Sequence, residues 1–316
     1  MTLEKPLVSV IVITYNSAKY VLDTLESVKT QTYQNIELIV SDDCSTDNTV
    51  EICQNWINTN KERFIRVKII VASENKGIPA NFNQGLMASE GEWLKFIAGD
   101  DTLVNSCIND FILFTYDNKN ISAIHAKMNI YKDKFDDASF LKSHDHSNDI
   151  YNIENITSNY QYKLILRKDW ISAPTVFLKR DMLIKLGGWD EQMPYEDWPM
   201  FIKINRNGYK IYYMNKVVVN YRIHNESMYN KRDKNNLLFN NFFIKDMLVY
   251  KNYRRKHLAY YERLIEEFDF ARKSLFLKLG LNHDILINRY INTLCNKTTN
   301  FLKRYAILRI KNLILK

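Results

Sequence analysis

Two stretches decide the fold: Val8-Ser-Val-Ile-Val-Ile-Thr-Tyr-Asn16 and Ile36-Glu-Leu-Ile-Val-Ser-Asp-Asp43. Each contains a short apolar run rich in β-branched residues, which is typical of a strand buried on both faces of a parallel sheet. Between them, apolar residues recur at helical spacing from Val21 to Val28, with Ser17 as a candidate N-cap. A strand, a helix and a second strand of this kind predict a right-handed βαβ unit.

The same alternation continues along the first 120 residues. Further strands are predicted at 67–71, 93–97 and 121–131. Helices are predicted between them around Trp56, from 79 to 88 and over 103–116. The polar stretch 136–155 is predicted to be a loop. This alternation predicts an α/β fold with a mostly parallel sheet, in which ligands bind at the carboxyl ends of the strands.

Polar loops follow the first four predicted strands. In chain order they are Thr14-Tyr-Asn16, Ser41-Asp-Asp-Cys-Ser-Thr-Asp-Asn-Thr49, Glu74-Asn-Lys-Gly77 with the following Asn81, Asn83 and Gly85, and Gly99-Asp-Asp101. The acidic pairs Asp42–Asp43 and Asp100–Asp101 therefore lie at neighbouring strand ends, where like charges repel. A divalent cation relieves that repulsion, as does a ligand that donates N–H and O–H hydrogen bonds. Oxygen donors of this kind suit Mg²⁺ or Mn²⁺.

Each acidic pair also has a simpler interpretation. Asp42, Asp43 and Asp47 precede a predicted helix, and Asp is a common helix cap. Gly99-Asp-Asp101 is a weak signal by itself, since viral-type polymerases carry the same three residues. The surrounding βα pattern and the short body argue against a polymerase.

Taken in order, the motifs resemble glycosyltransferase family 2 with its GT-A nucleotide-diphosphosugar fold, a Rossmann-like mixed sheet flanked by helices. The resemblance covers roughly residues 5–225. It is carried by residues 8–16, 31–33, 37–49, 74–77, 91–93 and 99–101, then by Trp189-Asp190 and Glu196-Asp197. It implies an inverting, metal-dependent glycosyltransferase that uses Mn²⁺ or Mg²⁺ and a UDP- or dTDP-sugar donor. The chain departs from the family pattern at Ala98, where the family has an earlier Asp, and at Cys44, where it often has Gly.

The resemblance assigns nucleotide-binding roles residue by residue. Tyr15 is expected to pack on the nucleobase, and Asp43 to accept a hydrogen bond from the base N3–H, which suits uracil or thymine. Asp101 is expected to bind the metal that bridges the diphosphate, and Asp100 to face the ribose or the metal. The other residues expected at the nucleotide are Thr14, Asn16, Asp42, Asn75, Gly77 and Asn83.

The resemblance places the chemistry at Pro194-Tyr-Glu-Asp-Trp198, which is similar to the family's Glu-Asp motif at the start of the acceptor-side helix. Asp197 is expected to be the general base, and Glu196 to orient it or bind the acceptor. A single base acting opposite the leaving group implies inversion at the anomeric carbon. The simpler alternative is that both acids lie favourably at a helix N-terminus.

Two further segments carry weaker candidates. His224, with Arg222 nearby, is expected to complete the metal or diphosphate site, although a lone His is more often structural. The resemblance therefore makes His224 a candidate metal ligand beside Asp101. Candidates for lining the donor sugar pocket are Arg167, Lys168, Trp170 and residues 172–175.

The formal charge of +8 is concentrated at one end of the chain. Residues 251–316 hold 15 Lys and Arg against 5 Asp and Glu, a net charge of +10, which leaves 29 basic and 31 acidic residues, a net charge of −2, before them. All five prolines and seven of the eight glycines precede residue 210. The predicted domains are therefore a catalytic domain at 1–229, with a nucleotide-binding half at about 5–100 and an acceptor-binding half at about 101–229, and a basic helical region at 230–316.

Two interpretations of the basic helical region stay open. Its helices pack on the catalytic domain with a solvated basic face, or they lie on an anionic membrane, where each Lys or Arg near the surface contributes about 1 kcal/mol. The sequence favours the membrane for the last 30 residues. Nucleic-acid binding is disfavoured, because the catalytic domain is slightly acidic and carries no nucleic-acid-binding motif.

The cysteines and the apolar runs bear on the compartment. Four widely spaced cysteines without a CxxC pair fit a reducing compartment, and no run is apolar and long enough to span a membrane. The stretch Met1–Leu7 lacks the build of a signal peptide. The expected location is the cytoplasm, or the inner face of the cytoplasmic membrane.

The sequence thus predicts transfer of a sugar to a hydroxyl of a glycan or lipid-linked acceptor in the synthesis of a bacterial-type surface polysaccharide, such as O-antigen or capsule. A nucleotidyltransferase on a related fold would need a Gly- and Lys/Arg-rich loop after the first strand, where this chain has Thr14-Tyr-Asn-Ser17. A non-catalytic binding module would be expected to lack Asp101 or Asp197, and both are present.

Overall fold

Residues 5–117, 120–144, 156–225, 242–282 and 286–314 are described by a computed structural model of the chain. The chain divides into two units, the first comprising Met1–Gln161 and Trp170–Arg222 and the second Tyr162–Asp169 and Ile223–Lys316. Residues 162–169, which the sequence assigned to the catalytic domain, therefore belong to the second, helical unit. The predicted boundary at 229/230 lies outside the described residues.

Among the described residues, nine strands form one mixed sheet. They are β1 (Val8–Thr14), β2 (Ile36–Asp42), β3 (Arg66–Val71), β4 (Trp93–Ala98), β5 (Thr102–Leu103), β6 (Ala123–Lys132), β7 (Phe140–His144), β8 (Phe177–Lys179) and β9 (Ile211–Ile223). The strand order is β3-β2-β1-β4-β8-β6-β9-β5, with β7 paired to β6. Strands β1 to β4 run parallel, whereas β5, β7 and β8 are antiparallel to their partners. This arrangement confirms the predicted α/β class.

The described helices fall into two groups. Those that connect the strands are α1 (Val21–Lys29), α2 (Thr49–Asn60), α3 (Ile78–Ala88), α4 (Cys107–Asp117), α5 (Ser158–Ile165), α6 (Arg180–Lys185) and α7 (Asp197–Arg206). Those of the second unit are α8 (Phe242–Val249), α9 (Tyr260–Lys278) and α10 (Leu286–Ile314). None of the described helices is long and apolar enough to cross a membrane.

The apolar runs of β1 and β2 form the centre of the sheet. Ile11, Leu38 and Ile39 are completely buried, as expected for central parallel strands covered on both faces. Gly85 lets α3 lie directly against this layer, because a Cβ at Gly85 would lie 2.5 Å from Cγ2 of Ile11. The parallel register pairs Thr14 with Asp42, so the polar ends of β1 and β2 are level with each other.

The chain contains four free thiols in unequal surroundings. Cys53 on α2 and Cys107 on α4 are completely buried, and burial raises the pKa of each thiol to about 12. Cys44, in the loop after β2, and Cys295, on α10, are half-buried. Cys44, Cys53 and Cys107 belong to the first unit, and Cys295 belongs to the second.

Two short strands lie where the sequence predicted something else. Strand β5 occupies the beginning of the predicted helix 103–116, and it forms because its two residues pair with β9. Strand β7 lies in the predicted loop 136–155 and pairs with β6, while residues 145–155 lie outside the described ones. Both strands depend on partners that local periodicity does not report.

In the second unit, charged side chains lie between α9 and α10. Glu266 accepts hydrogen bonds from Nη2 of Arg254 at 2.7 Å and from Nζ of Lys303 at 3.0 Å. Arg272 donates to Asp269 on its own helix at 2.8 Å and to two Asn side chains of α10. Glu266, Asp269 and Arg272 are each less than 9% exposed. The contact between these helices is therefore ionic.

Many apolar side chains of the same two helices lie on the outside, although Phe270 and Phe276 of α9 are buried. Those exposed to solvent include Tyr261, Leu264, Phe268 and Leu275 on α9 and Ile287, Tyr290, Leu294, Phe301 and Tyr305 on α10. On α10, where Asn288, Asn292 and Thr299 are buried, the polar side of the helix is therefore turned inward.

Candidate active site

The carboxyl ends of β1 and β2 carry a hydrogen-bond network around Asp42. The hydroxyl of Thr14 donates to Oδ2 of Asp42 at 2.7 Å. Ser45 donates to Asp42 through its backbone N–H at 2.7 Å and through its hydroxyl at 2.6 Å. Thr14 and Asp42, both predicted at the nucleotide, are thus brought together, and their contacts within the protein shape the loops after β1 and β2.

Asp43 holds the loop that begins α3. Its two oxygens accept the backbone N–H groups of Lys76 at 2.9 Å and Gly77 at 2.8 Å. Gly77 has a φ of +89°, a left-handed conformation that glycine adopts without strain, so the loop can turn both N–H groups toward the carboxylate. Each oxygen of Asp43 keeps a second lone pair that can accept from a ligand.

Three further predicted residues surround these loops. Tyr15 is 50% exposed, and Asn75 is exposed as well. Asn16 has a φ of +52°, and its Oδ1 accepts the backbone N–H of Thr46 at 2.8 Å. The accessible ring of Tyr15 meets the steric requirement for stacking on a nucleobase. The predicted roles of these three residues at a nucleotide stay predictions.

The helix-capping alternative applies to Asp47. Its Oδ1 accepts the backbone N–H of Thr49, the first residue of α2, at 3.0 Å. Asp42 and Asp43 bind N–H groups of the adjoining loops instead. Of the three acids after β2, Asp47 therefore stabilises the helix, and the other two organise the loops at the edge of the sheet.

The turn after β4 carries the second acidic pair. Asp101 is completely buried, and its Oδ1 accepts the backbone N–H of Arg222 at 2.9 Å. Its Oδ2 has no hydrogen-bond partner among the described residues. Burial and the nearby charge of Asp100 raise the pKa of Asp101 well above its usual range. Asp100 keeps part of its surface accessible.

This donor set fits a hard divalent cation, because it offers carboxylate oxygens and one of them is buried without a partner. The accessible carboxylate is that of Asp100, so a cation arriving from solvent meets Asp100 first. This accessibility weighs against assigning the metal to Asp101 alone. Within the described ranges, no group of three or more His, Cys, Asp and Glu side chains is arranged to hold a metal. Further ligands, such as water or a bound diphosphate, would complete the coordination.

Arg222 ties this turn to the rest of the first unit. Its Nε donates to the carbonyl oxygen of Asp100 at 2.8 Å, and its Nη1 to that of Asp133 at 2.7 Å. Its Nη2 donates to Oδ2 of Asp23 at 2.6 Å, and the guanidinium packs against two aromatic rings. Sequence reasoning noted Arg222 only as a neighbour of His224. Its real partners lie in three separate loops and helices, which no local pattern indicates.

His224 and Arg167 belong to the second unit, whereas Asp101 belongs to the first. His224 directly follows β9 and is buried. Its role as a metal ligand stays a prediction. Arg167 forms an ion pair with Glu262 at 2.6 Å within the second unit. That pairing occupies the guanidinium and weighs against a role for Arg167 at the donor sugar.

Glu196 and Asp197 lie at the start of α7. Glu196 is the N-cap residue, and Oδ1 of Asp197 accepts the backbone N–H of Trp198 at 2.7 Å. Burial, followed by the charge of Asp197, raises the pKa of Glu196 to about 8. At neutral pH Glu196 therefore holds a proton for most of the time. Two neighbouring acids, one of which has a raised pKa, are found in acid–base sites.

Asn83 lies on α3, and its amide is bonded to Trp189 and Glu191 of the loop before α7. The structure thus places Asn83 at that loop. The contacts give no support to its predicted role at the nucleotide.

Sequence reasoning missed Lys95 of β4. This side chain is completely buried, and its Nζ donates to the carbonyl oxygens of Phe96 and Pro174, both at 2.6 Å. Burial lowers the pKa of Lys95 to about 8. A Lys within an apolar strand was the available signal, because a buried ammonium needs hydrogen-bond partners.

Comparison with known proteins identifies relatives that cover more than half of the chain. Residues 9–180, more than half of the chain, match the family described as Glycosyl transferase family 2. The Escherichia coli UDP-Glc:alpha-D-GlcNAc-diphosphoundecaprenol beta-1,3-glucosyltransferase WfaP is 29% identical over 221 residues, which are 69% of this chain and 78% of WfaP. The chain spans less than half the length of some other curated relatives that it matches.

Two solved structures resemble this one. S. aureus TarS 1-349 in complex with UDP-GlcNAc has a TM-score of 0.60 and 21% identity, over 85% of this chain and 75% of that one. The mannosyltransferase PcManGT from Pyrobaculum calidifontis, in complex with GDP-Man and Mn²⁺, has a TM-score of 0.59 and 18% identity, over 98% of this chain and 88% of that one. At these identities the likeness concerns the fold, and it agrees with the mixed sheet and its helices.

Proposed function

The chain belongs to glycosyltransferase family 2, and we propose that it transfers a sugar from a UDP- or dTDP-sugar to a hydroxyl of a glycan or lipid-linked acceptor, with inversion of the anomeric centre. The observation that carries this proposal is the register of β1, β2 and β4. Because these parallel strands end level with one another, the pairs Asp42–Asp43 and Asp100–Asp101 follow at one edge of the sheet. That edge is where α/β sheets bind nucleotides.

In the proposed reaction, a hydroxyl oxygen of the acceptor attacks the anomeric carbon and the hydroxyl proton passes to Asp197. The bond between that carbon and the diphosphate oxygen breaks, and the nucleoside diphosphate leaves. Attack from the face opposite the diphosphate inverts the centre. Glu196, protonated at neutral pH, keeps the negative charge of the pair on Asp197 and can donate a hydrogen bond to the acceptor.

We assign the divalent cation, Mn²⁺ or Mg²⁺, to Asp100 and Asp101, with Asp100 as the accessible ligand. When bound, the cation would neutralise negative charge on the diphosphate as that group leaves. His224 remains a candidate third ligand. The Mn²⁺ in the PcManGT complex supports the choice of cation.

A thermal-shift titration tests the donor. The full chain is titrated with UDP, dTDP and GDP, each with and without Mn²⁺, and we expect UDP or dTDP to raise the melting temperature most, because Asp43 can accept the N3–H of uracil or thymine. Asp100→Asn should remove the dependence on Mn²⁺. If no nucleoside diphosphate stabilises the protein, the proposed function is wrong.

Asp197→Asn tests the base. Turnover should fall about 100- to 10,000-fold, the range for loss of a general base, while donor binding stays near normal. Glu51→Gln, which also removes one acid from the first turn of a helix, is the matched control and should keep its turnover. A folded Asp197→Asn protein with near-normal turnover would contradict the assignment.

We also propose that the acceptor is an intermediate of bacterial surface polysaccharide synthesis that is anchored to a lipid. The name of WfaP, which states a diphosphoundecaprenol-linked acceptor, supports this proposal. An enzyme with such an acceptor would work at the cytoplasmic face of the membrane. Transfer of labelled sugar to lipid-extractable acceptors, compared with water-soluble glycans, distinguishes the two acceptor classes.

Contact with an anionic membrane through α10 is part of the same proposal. Ile287, Leu294 and Phe301 are exposed and lie seven residues apart, with Lys297 between the last two and Arg304 three residues after Phe301. Exposed apolar residues next to cations are typical of an interfacial helix. Flotation with phosphatidylglycerol vesicles should recover the wild type, whereas Phe301→Ser and neutral phosphatidylcholine vesicles should give much weaker recovery. Equal recovery with both lipids would contradict the role of charge.

A further inference from the structure

Asn83 joins α3 to the loop that leads into α7. Its Nδ2 donates to the carbonyl oxygen of Trp189 at 2.9 Å and to Oε1 of Glu191 at 2.7 Å. Its Oδ1 accepts the backbone N–H of Trp189 at 2.8 Å. The side-chain amide therefore pairs with both backbone groups of Trp189, as a neighbouring strand would, and both of its N–H groups are used.

The loop approaches Asn83 so closely that it depends on a glycine. Gly188 has a φ of +64°, and a Cβ there would overlap Oδ1 of Asn83. Lys203 of α7 donates to the carbonyl oxygen of Gly188 at 2.8 Å. Trp189 is 5% exposed and packs edge-on against one phenylalanine ring of α3 and one of β4, at centroid distances of 5.1 and 5.0 Å. The loop is thus held by α3, β4 and α7 together.

The beginning of α3 is held by Asp43. Its carboxylate accepts the N–H groups of Lys76 and Gly77, where the helix begins. Gly77 and Asn83 are six residues apart, about 9 Å along a helix. One rigid helix therefore connects the carboxylate assigned to the base with the loop that presents Glu196 and Asp197, all within the first unit.

We propose that Asn83 is a positioning residue for sugar transfer: by pairing with Trp189 it fixes the loop before α7, and with it Asp197, relative to the donor-binding end of α3. The inference rests on the proposed function, and it replaces the nucleotide contact predicted for Asn83 from the sequence. The physical reason is the sensitivity of transfer to geometry, because a displacement of about 1 Å between reacting groups can lower a rate about 100-fold.

The test compares Asn83→Ala with Asn60→Ala in the full-length protein. Asn60, at the end of α2, also donates its amide to the backbone carbonyl oxygen of a Trp, Trp56, at 2.8 Å, so it controls for the loss of one such contact. For each variant we would measure the donor dissociation constant by calorimetry, then kcat and the KM for donor and acceptor. For Asn83→Ala we expect donor affinity within about twofold of the wild type and kcat lowered about 30- to 100-fold. For Asn60→Ala we expect both to stay near normal.

Gly188→Ala perturbs the same loop independently, so the proposal remains testable even if Asn83→Ala does not fold. Gly188→Ala should lower kcat in the wild-type background. In the Asn83→Ala background it should lower kcat by a smaller factor, because the overlap is with the side chain of Asn83.

Three results would overturn the proposal. If donor affinity falls as much as kcat over KM, Asn83 binds the nucleotide. If Asn83→Ala matches Asn60→Ala, or Gly188→Ala leaves kcat unchanged, the loop needs no such positioning. Failure of the wild type to bind any nucleotide sugar would instead count against the proposed function, so the two failures are distinguishable.

Discussion

The centre of the sheet in the first unit buries apolar side chains, whereas the contact between α9 and α10 in the second unit buries charged ones. At the centre of the sheet Leu38 and Ile39 are completely buried. Between α9 and α10 the buried groups include Glu266 and Asp269, while Phe301 is exposed. Apolar burial stabilises a fold by roughly 25 cal/mol per Å². A buried ion pair, in contrast, often recovers little more than the cost of removing its charges from water.

The difference shows which interactions hold each of these two regions together. In the centre of the sheet the apolar side chains supply stability. Between α9 and α10 charged side chains link the two helices, and the exposed apolar side chains of α10 stay available for another surface. Four experiments can break or sharpen this comparison.

The largest effect is expected at Arg222, where the first unit itself depends on a buried charge. Arg222→Met should lower turnover of the folded enzyme at least about 100-fold and the free energy of unfolding by about 3–5 kcal/mol. The reason is that three hydrogen bonds of the guanidinium, to Asp23 and to the carbonyl oxygens of Asp100 and Asp133, are lost, and the turn carrying Asp100 is released. Initial rates and urea unfolding measure the two effects.

Arg63→Met is the matched control for this substitution. Arg63 donates to backbone carbonyl oxygens between α1 and β2, including those of Lys29 and Tyr33. Its loss should cost stability and leave turnover of the folded fraction near normal. If both variants lose turnover equally, Arg222 has no special role at the acidic turn.

In the second unit, neutralising one charged side chain should destabilise the protein more than replacing Arg254, Glu266 and Lys303 together by apolar residues. Glu266→Gln leaves Arg254 and Lys303 without their carboxylate and should lower the free energy of unfolding by about 3 kcal/mol. The triple variant Arg254→Met, Glu266→Leu, Lys303→Met should lie within about 1 kcal/mol of the wild type. Hydrogen exchange of α9 and α10 peptides measures both. A triple variant less stable than Glu266→Gln would show that the ions supply net stability.

The two units should also respond to pH in opposite directions. The pKa of Glu196 is raised by burial from 4.5 to about 8, so the folded first unit keeps a proton that the unfolded chain has lost. Its free energy of unfolding should fall as the pH rises from about 4.5 to about 8, by about 1–2 kcal/mol because Glu196 remains partly accessible to water. Glu196→Gln should flatten this dependence.

In the second unit burial alone would raise the pKa values of Glu266 and Asp269, but neighbouring cations, Arg254 and Lys273 foremost, lower them below their usual range. The stability that these two carboxylates contribute is therefore fully present above their pKa values in the unfolded chain. It is lost as the pH falls through their pKa values in the folded protein. Hydrogen exchange at several pH values follows each unit separately. A parallel response of both units would contradict the comparison.

The smallest effect is expected for Leu294→Ala on α10, which should change the free energy of unfolding by less than about 0.5 kcal/mol because the side chain is exposed. Leu25→Ala on α1 is the matched substitution in the first unit. Leu25 is completely buried, so its truncation should cost about 2–5 kcal/mol. Urea unfolding compares the two, and a large loss for Leu294→Ala would mean that α10 has an apolar partner within the protein.

The parallel part of the sheet was predictable because each strand and helix up to β4 is specified by its own periodicity. Strands β5 and β7 were not, since each exists only through pairing with another strand, which for β5 lies more than 100 residues further along the chain. The exposure of Tyr261 and Phe268 on α9 was not predictable either, because the spacing of apolar residues alone cannot say which side of a helix turns inward.

In the candidate site, the sequence identified both acidic pairs but not the accessibility of their members. Asp101 is enclosed because Arg222, 121 residues away, donates its backbone N–H to it. The pairing of Asn83 with the loop before α7 was not foreseen for a similar reason, since its partners there lie more than 100 residues further along the chain. Contacts at such separations leave no local pattern to detect.

Because the four thiols are unequally buried, the rates at which a reagent labels them can report how often the first unit opens. A thiol reagent should label Cys44 and Cys295 promptly, whereas Cys53 and Cys107 become available only when the first unit opens. The delay between labelling of the accessible pair and labelling of the buried pair would measure how often the first unit opens. If the delay lengthens when a nucleotide sugar is added, the same cysteines would report donor binding in the unmodified protein, with no engineered label.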